Sequence, residues 1–334
     1  MNEQRAGIFK SIFSARYIRA GLGIVLSVVA LVLSTRDVNF HEVWAVLKGA
    51  KPAFILLGAC SVGLNITGKA LRWQVLLSSG RKTKFSYLLM AMMAGQLVNL
   101  FVPGRAGDIS RVWIAGSEAG RTFVLGTVVL EKMIDTLVYG VLFGVLLLLI
   151  PLPQWIENSA ITVFFIFLVC FLTLIGAVSF RVQLWVFAVH LGRRLPGSIQ
   201  GWLLPRLEAG LSSLNVLDQI TNLFWIVFWT MVIWGTALLN NQAVLWALGL
   251  NLPFSTILLV LVGLQASIAV TASPGGIGVF EYICVLALGV FGVTQRVSVG
   301  YGFVLHALVF IPQILGGLIS LVWWSFKGQA AVKT

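Results

Sequence analysis

Glu131 and Asp135 stand four residues apart inside an unbroken apolar run over 122–150. In a helix that spacing puts both carboxylates on one face. A charge at mid-depth in a bilayer costs about 2.5–3.5 kcal/mol on insertion scales, so groups of this kind serve pairing, binding or proton handling. Two readings stay open. One acid pairs with Lys69 or Arg72, which lie in another apolar run at 53–78, as a buried structural ion pair. Alternatively, at least one of the four titratable groups belongs to a site or couples to protons. Lys132 adjoins Glu131 in sequence but points about 100° away around the helix.

Arg105, Asp108 and Arg111 follow at intervals of three and share a second helix face. Asp108 can bond to both arginines, as a self-neutralised cluster or as part of an anion site in which the fork of Arg105 grips phosphate oxygens. Arg105 lies beside Pro103-Gly104, and a second Pro-Gly pair stands at Pro274-Gly275, followed by Gly276. Each pair breaks a helix, and the helix restarting after it offers free N–H groups and a positive dipole end. Such ends bind phosphates and carboxylates, and glycine lets a ligand approach the backbone. Gln96, Asn99, Thr271 and Ser273 lie on the arms entering these breaks. Glu281 is expected one to two turns into the second restarted helix, as a dipole-compensating acid or as a cation or proton site. His306 is the one histidine deep in an apolar run, a hydrogen-bonded packing residue or a titratable partner.

The elements that position these residues are membrane helices. The 334-residue chain is 59% hydrophobic and 10% charged, where a soluble domain carries about a quarter charged residues. Its mean hydropathy is +0.97. Full spans are expected at about 17–35, 53–78, 122–150, 160–180, 219–248 and 298–325, the first as a retained helix rather than a cleaved signal. The stretches 85–121 and 255–296 are broken at their Pro-Gly pairs and read as re-entrant hairpins. With the N-terminus inside, that arrangement places sixteen Lys and Arg residues inside and four outside, leaving three within spans. The expected fold is therefore an all-α polytopic membrane protein, a single transmembrane domain over 1–334 with about six full spans and two hairpins. Residues 17–150, with hairpin 85–121, and 160–326, with hairpin 255–296, form an inverted-topology repeat, the plan of many transporters. The matched P-G-x-x-G tips support it, as do Arg121 ten residues before Glu131 and Arg296 ten before His306. Localisation follows as a multi-pass cell membrane protein with both termini cytoplasmic.

The net charge of +12 fits cationic cytoplasmic loops on anionic lipid better than nucleic acid binding. Cys60, Cys170 and Cys284 sit in apolar runs without metal-ligand spacing. No nucleophile elbow, nucleotide-binding loop, metal motif or histidine cluster stands out, so no catalytic residue, cofactor or metal is expected.

The stretch from Gly95 to Arg111, the segments Val129 to Asp135 and Ser273 to Glu281, and Lys69-Ala70-Leu71-Arg72-Trp73 together resemble the transmembrane, flippase-like region of lysylphosphatidylglycerol synthases. In bifunctional members this region moves aminoacylated phospholipid across the membrane and a separate soluble domain makes it. The resemblance implies a lipid-handling module with Arg105, Asp108, Arg111, Glu131, Asp135 and Glu281 as site residues. The expected function is a translocase of a charged or phosphate-bearing lipid, its site lying between the hairpin tips. Expected partners are anionic or aminoacylated phospholipid, or polyprenyl-linked or glycolipid, with a lipid-modifying enzyme as a further partner. An intramembrane enzyme acting on lipid phosphates, or an accessory subunit handing lipid to a biosynthetic enzyme, are the alternatives.

Overall fold

A computed structural model describes Val25 and residues 27–332, except 37, 39, 81, 103–105, 151–153, 193–196 and 271–273. Every regular element among the described residues is helical: α1 (27–35), α2 (Phe40–Lys48), α3 (Pro52–Leu77), α4 (Phe85–Phe101), α5 (Ala106–Ala119), α6 (Arg121–Leu149) and α7 (Gln154–Ser179). These are followed by α8 (Arg181–Gly192), α9 (Gly197–Ser212), α10 (Ile220–Ala247), α11 (Phe254–Val270), α12 (Val279–Gly289) and α13 (Gln295–Val332). Short 3₁₀ turns at Ser213–Asp218 and Pro274–Gly276 precede α10 and α12.

An apolar chain in lipid must satisfy its backbone internally, and helices do so residue by residue. Four of these helices are long and apolar enough to cross a membrane: α3, α6, α10 and α13 over Gln295–Phe326. They cover the expected spans at 53–78, 122–150, 219–248 and 298–325. The expected span at 160–180 takes a different form. Its apolar part, Phe165–Ser179, runs into Arg181–Leu191 through a 79° bend, and the two make a fifth span if counted as one. The first expected span, 17–35, falls largely outside the described residues. Both expected interruptions are present, since α4 gives way to α5 around residues 102–105 and α11 to α12 around residues 271–278.

The chain gathers into two compact units, each drawing segments from distant parts of the sequence. One comprises residues 1–62, 97–106 and 238–314, and the other 63–96, 107–237 and 315–334. The core of the first is Val244, Leu245, Ile257, Val260 and Leu264 closed over Phe280, Cys284, Leu288, Tyr301 and Leu305. Polar ties join its helices. Tyr301 donates its hydroxyl to Asn241 Oδ1 at 3.0 Å, Gln295 donates to the backbone of Ser34 and Arg36 at 3.0 and 3.1 Å, and Arg296 pairs with Glu42 at 2.7 Å.

In the second unit, Asn65 donates to Ile233 O at 2.6 Å and joins α3 to α10, a contact helped by the bare Cα of Gly68 against Ile233. Tyr87 of α4 donates to Ile114 O of α5 at 2.7 Å, and its ring meets Trp324 edge-on at 5.0 Å. Ser320 donates to Met90 O at 2.7 Å. Helix ends α4, α5 and α13 are thereby locked together around the segment that carries Arg111.

Candidate functional site

Within the second unit, three helices converge on a buried ionic cluster. From α3 come Lys69, Arg72 and Trp73, which the three- and four-residue helical intervals set on one face. The start of α5 supplies Asp108 and Arg111, and the middle of α6 supplies Glu131, Lys132 and Asp135. Arg72 is 1% exposed and Arg111 4%. Charges so deep are stable only when paired and hydrogen-bonded.

The pairing is divided. Arg72 Nη1 donates to Asp135 Oδ1 at 2.7 Å and to Thr230 Oγ1 of α10 at 3.2 Å. Thr230 donates its own hydroxyl hydrogen bond to Ile226 O, which leaves an oxygen lone pair to accept from the arginine. Arg111 Nη2 straddles Glu131, at 3.3 and 3.4 Å from the two carboxylate oxygens, and stands 3.5 Å from Asp108 Oδ1. Its guanidinium also lies over Trp73, 4.8 Å from the ring centroid, a cation–π contact that desolvation strengthens. Trp73 is itself held by an Nε1–H bond to Thr127 Oγ1 at 3.3 Å. Lys132 Nζ reaches Asp108 at 3.4 Å and Glu131 at 3.7 Å. Lys69, half-buried, feels the charges of Asp135, Lys132, Arg72 and Glu131.

Of the two options left open for the acids of α6, the buried pair with α3 is Arg72–Asp135, while Glu131 turns to α5. Lys132 corrects the expectation that it points away. The 100° offset holds for its Cβ, but a four-carbon stem reaches round to both acids. Asp108 and Arg111 share a face as expected; Arg105 and Gly104 lie outside the described residues, as does Ser273. The amide oxygen of Gln96, one turn before the break after α4, is buried with no donor among the described residues. Asn99 is exposed.

A glycine makes the cluster possible. A Cβ on Gly95 would fall 2.5 Å from Arg111 Cγ and 2.7 Å from Gly107 O. Only a bare Cα lets α4 lie this close to the arginine stem, which it steers toward Glu131.

In the first unit a second buried acid has found another partner. Glu281 Oε1 and His306 Nδ1 are 2.6 Å apart, joining α12 to α13, and Glu281 Oε2 accepts from Gly278 N at 2.7 Å. The restarted helix begins at Val279, after the 3₁₀ turn, so Glu281 sits in its first turn rather than one to two turns in. There it closes the helix N-terminus as the acid of a capping box does. Gly275, Gly276 and Gly278 have φ of 63°, 68° and 87°, which side chains rarely tolerate, so this tip needs glycine. The bare Cα of Gly302, one turn before His306, rests against Glu281 and brings the imidazole into reach. The rings of Phe280 and Phe310 flank it at 4.6 and 4.1 Å. Sequence reading placed Glu281 and His306 as separate candidates; the glycine four positions before His306 is the signal that α12 and α13 touch here.

Chemically, the larger cluster holds four cations, Lys69, Arg72, Arg111 and Lys132, against three acids, Asp108, Glu131 and Asp135. Counted at formal charges, one positive charge is in excess. Together these groups can take an oxyanion on the arginines and an ammonium on the acids.

A family model described as the lysylphosphatidylglycerol synthase TM region matches residues 20–317. A protein named glycosyltransferase AglD, from Haloferax volcanii, is 24% identical over 93% of this chain and 55% of its own length. This chain thus spans about half of that relative. The UPF0104 membrane protein PH1989 from Pyrococcus horikoshii is 22% identical over 80% of this chain and 86% of its own length. No solved structure matches.

Proposed function

The chain belongs to the lysylphosphatidylglycerol synthase transmembrane-region family, and from that premise we propose that it is a translocase moving a charged or phosphate-bearing lipid between leaflets. The observation that carries this reading is the ionic cluster of α3, α5 and α6. Seven charged side chains with one cation in excess, in a protein otherwise so apolar, suit a polar headgroup that must leave water to cross. A headgroup passing there exchanges hydration for fixed charges, while its acyl chains remain in lipid.

In the same reading, the breaks at Pro103-Gly104 and Pro274-Gly275 are the tips of two re-entrant hairpins in an inverted-topology repeat. Such broken helices are where transporters of this plan hold their substrates. Arg105, Gly104, Ser273, Gly275 and Gly276 are proposed as further headgroup-binding residues, and Glu281 with His306 as a proton-coupled pair. Both termini are cytoplasmic in the cell membrane, as the sixteen-to-four distribution of Lys and Arg favours. A second reading, that the chain hands a lipid to a partner glycosyltransferase, is favoured by the relative bearing that name, about half of whose length lies outside the match.

Reconstitution into vesicles tests the translocase directly. Fluorescent phospholipid in the inner leaflet becomes accessible to a membrane-impermeant quencher faster than in protein-free vesicles. Lys69→Gln, which removes the excess charge but leaves the Arg72–Asp135 and Arg111–Glu131 contacts, slows that transfer about ten-fold or more. Wild-type vesicles no faster than protein-free ones would overturn the reading.

A further inference from the structure

We infer that Arg72 is an oxyanion receptor, with Asp135 and Thr230 as the residues that aim it. A guanidinium has two edges. On Arg72, Nη1 is committed to Asp135 at 2.7 Å and Thr230 at 3.2 Å, and these two contacts fix the plane of the group. The other edge carries the Nε and Nη2 donors, parallel and spaced for two oxygens of one phosphate or carboxylate. Both nitrogens are buried, and neither meets an acceptor among the described residues. The side chain as a whole is 1% exposed. Buried donors without acceptors carry an uncompensated desolvation penalty, which a two-oxygen anion relieves.

No carboxylate nearby is spare. Glu131 and Asp108 are shared between Arg111 and Lys132, and Asp135 already faces Nη1. Arg111 repeats the pattern, its Nε buried and unmatched. The unmet donors and the single excess cation together describe a guest: one oxyanion of unit charge presenting two oxygens, such as a phosphate diester. A phosphate monoester, at nearly two charges, over-neutralises the cluster. The receptor edge is closed to solvent, so the packing around it must open before the anion enters.

This inference rests on the translocation reading for the source of the anion, a lipid headgroup, but its chemistry is tested separately. Calorimetry on the purified full chain in detergent compares dihexanoyl phosphatidylglycerol, dihexanoylglycerol and inorganic phosphate. The phosphodiester lipid binds about ten-fold or more tightly than the diglyceride, which shares its tails and lacks the anion. Arg72→Lys keeps the charge but replaces a fork with a point, and weakens binding of the phosphodiester lipid about ten-fold. Thr230→Val, which frees the guanidinium plane, weakens it less. Equal binding of lipid and diglyceride, or wild-type affinity in Arg72→Lys, overturns the receptor. If Arg72→Lys does not fold, the wild-type comparison of the two lipids decides alone. Inorganic phosphate displacing the lipid at equal concentration overturns the headgroup as the anion's source. Vesicle transfer separates the two claims: transfer at the wild-type rate in Arg72→Lys defeats the receptor and spares translocation. No transfer by wild type, with lipid binding still selective, does the reverse.

Discussion

The two buried acids Glu131 and Glu281 make opposite kinds of site from the same functional group. Glu281 is closed: one oxygen takes the Gly278 N–H, the other meets His306, and aromatic rings seal the pair. Sharing one proton, as carboxylate with imidazolium or as carboxylic acid with imidazole, the pair holds no net charge. Glu131 is shared by Arg111 and Lys132 in a cluster where cations outnumber acids and arginine nitrogens stay unmatched. A closed pair stabilises one arrangement of helices. An open cluster gains by recruiting something else.

The same isosteric substitution applied to both acids puts this contrast to its hardest test. Glu131→Gln strips the shared counter-charge from Arg111 and Lys132 and destabilises the protein by about 3 kcal/mol, because the buried Arg111 keeps only its 3.5 Å contact with Asp108. Glu281→Gln costs less than about 1 kcal/mol, since an amide still accepts from Gly278 and bonds to a neutral imidazole. Unfolding in detergent, followed by far-UV circular dichroism, measures both. Equal losses would erase the distinction between open and closed sites.

Glycine packing sharpens the contrast at a smaller scale. Gly95→Ala drives a methyl against Arg111 Cγ and the Gly107 carbonyl, and costs about 2 kcal/mol by overpacking. Gly302→Ala meets its nearest atom, Glu281 Cα, at 3.2 Å, and its cost stays near 1 kcal/mol. Thermal midpoints of the two variants rank them, and the reverse order would mean that the closed pair is the tighter assembly. The smallest effect belongs to Lys132→Ala. Its side chain is 38% exposed, so water already screens its contacts, and loss stays under about 1 kcal/mol. A larger loss would show that the cluster extends its burial out to this lysine.

Legibility in the sequence followed the physics of each feature. Charges inside apolar runs singled out Lys69, Arg72, Glu131, Asp135 and Glu281, because lipid makes such residues costly wherever they stand. The 131/135 spacing announced a common helix face. What no spacing announces is the rotation of one helix against another. Arg72 therefore could be assigned an acid but not which one, and Glu281 and His306, on separate helices, were read apart although they touch. A helical wheel follows Cβ atoms, so the 100° offset of Lys132 is legible, while the reach of its tip to Glu131 and Asp108, several bonds beyond, is not. The breaks at the two Pro-Gly pairs were plain from residue type. The 79° turn between Ser179 and Arg181 was not, since no proline or glycine pair marks it.

The stacking of Arg111 on Trp73 has an optical consequence. An indole's emission colour responds to the electric field across its ring, and a guanidinium held 4.8 Å from the centroid imposes a strong one. Trp73 is thus a resident fluorophore tuned by the residue beside it. With the other tryptophans replaced, any event that draws Arg111 off the ring shifts the spectrum of a single native side chain, reporting movement in the cluster without an attached dye.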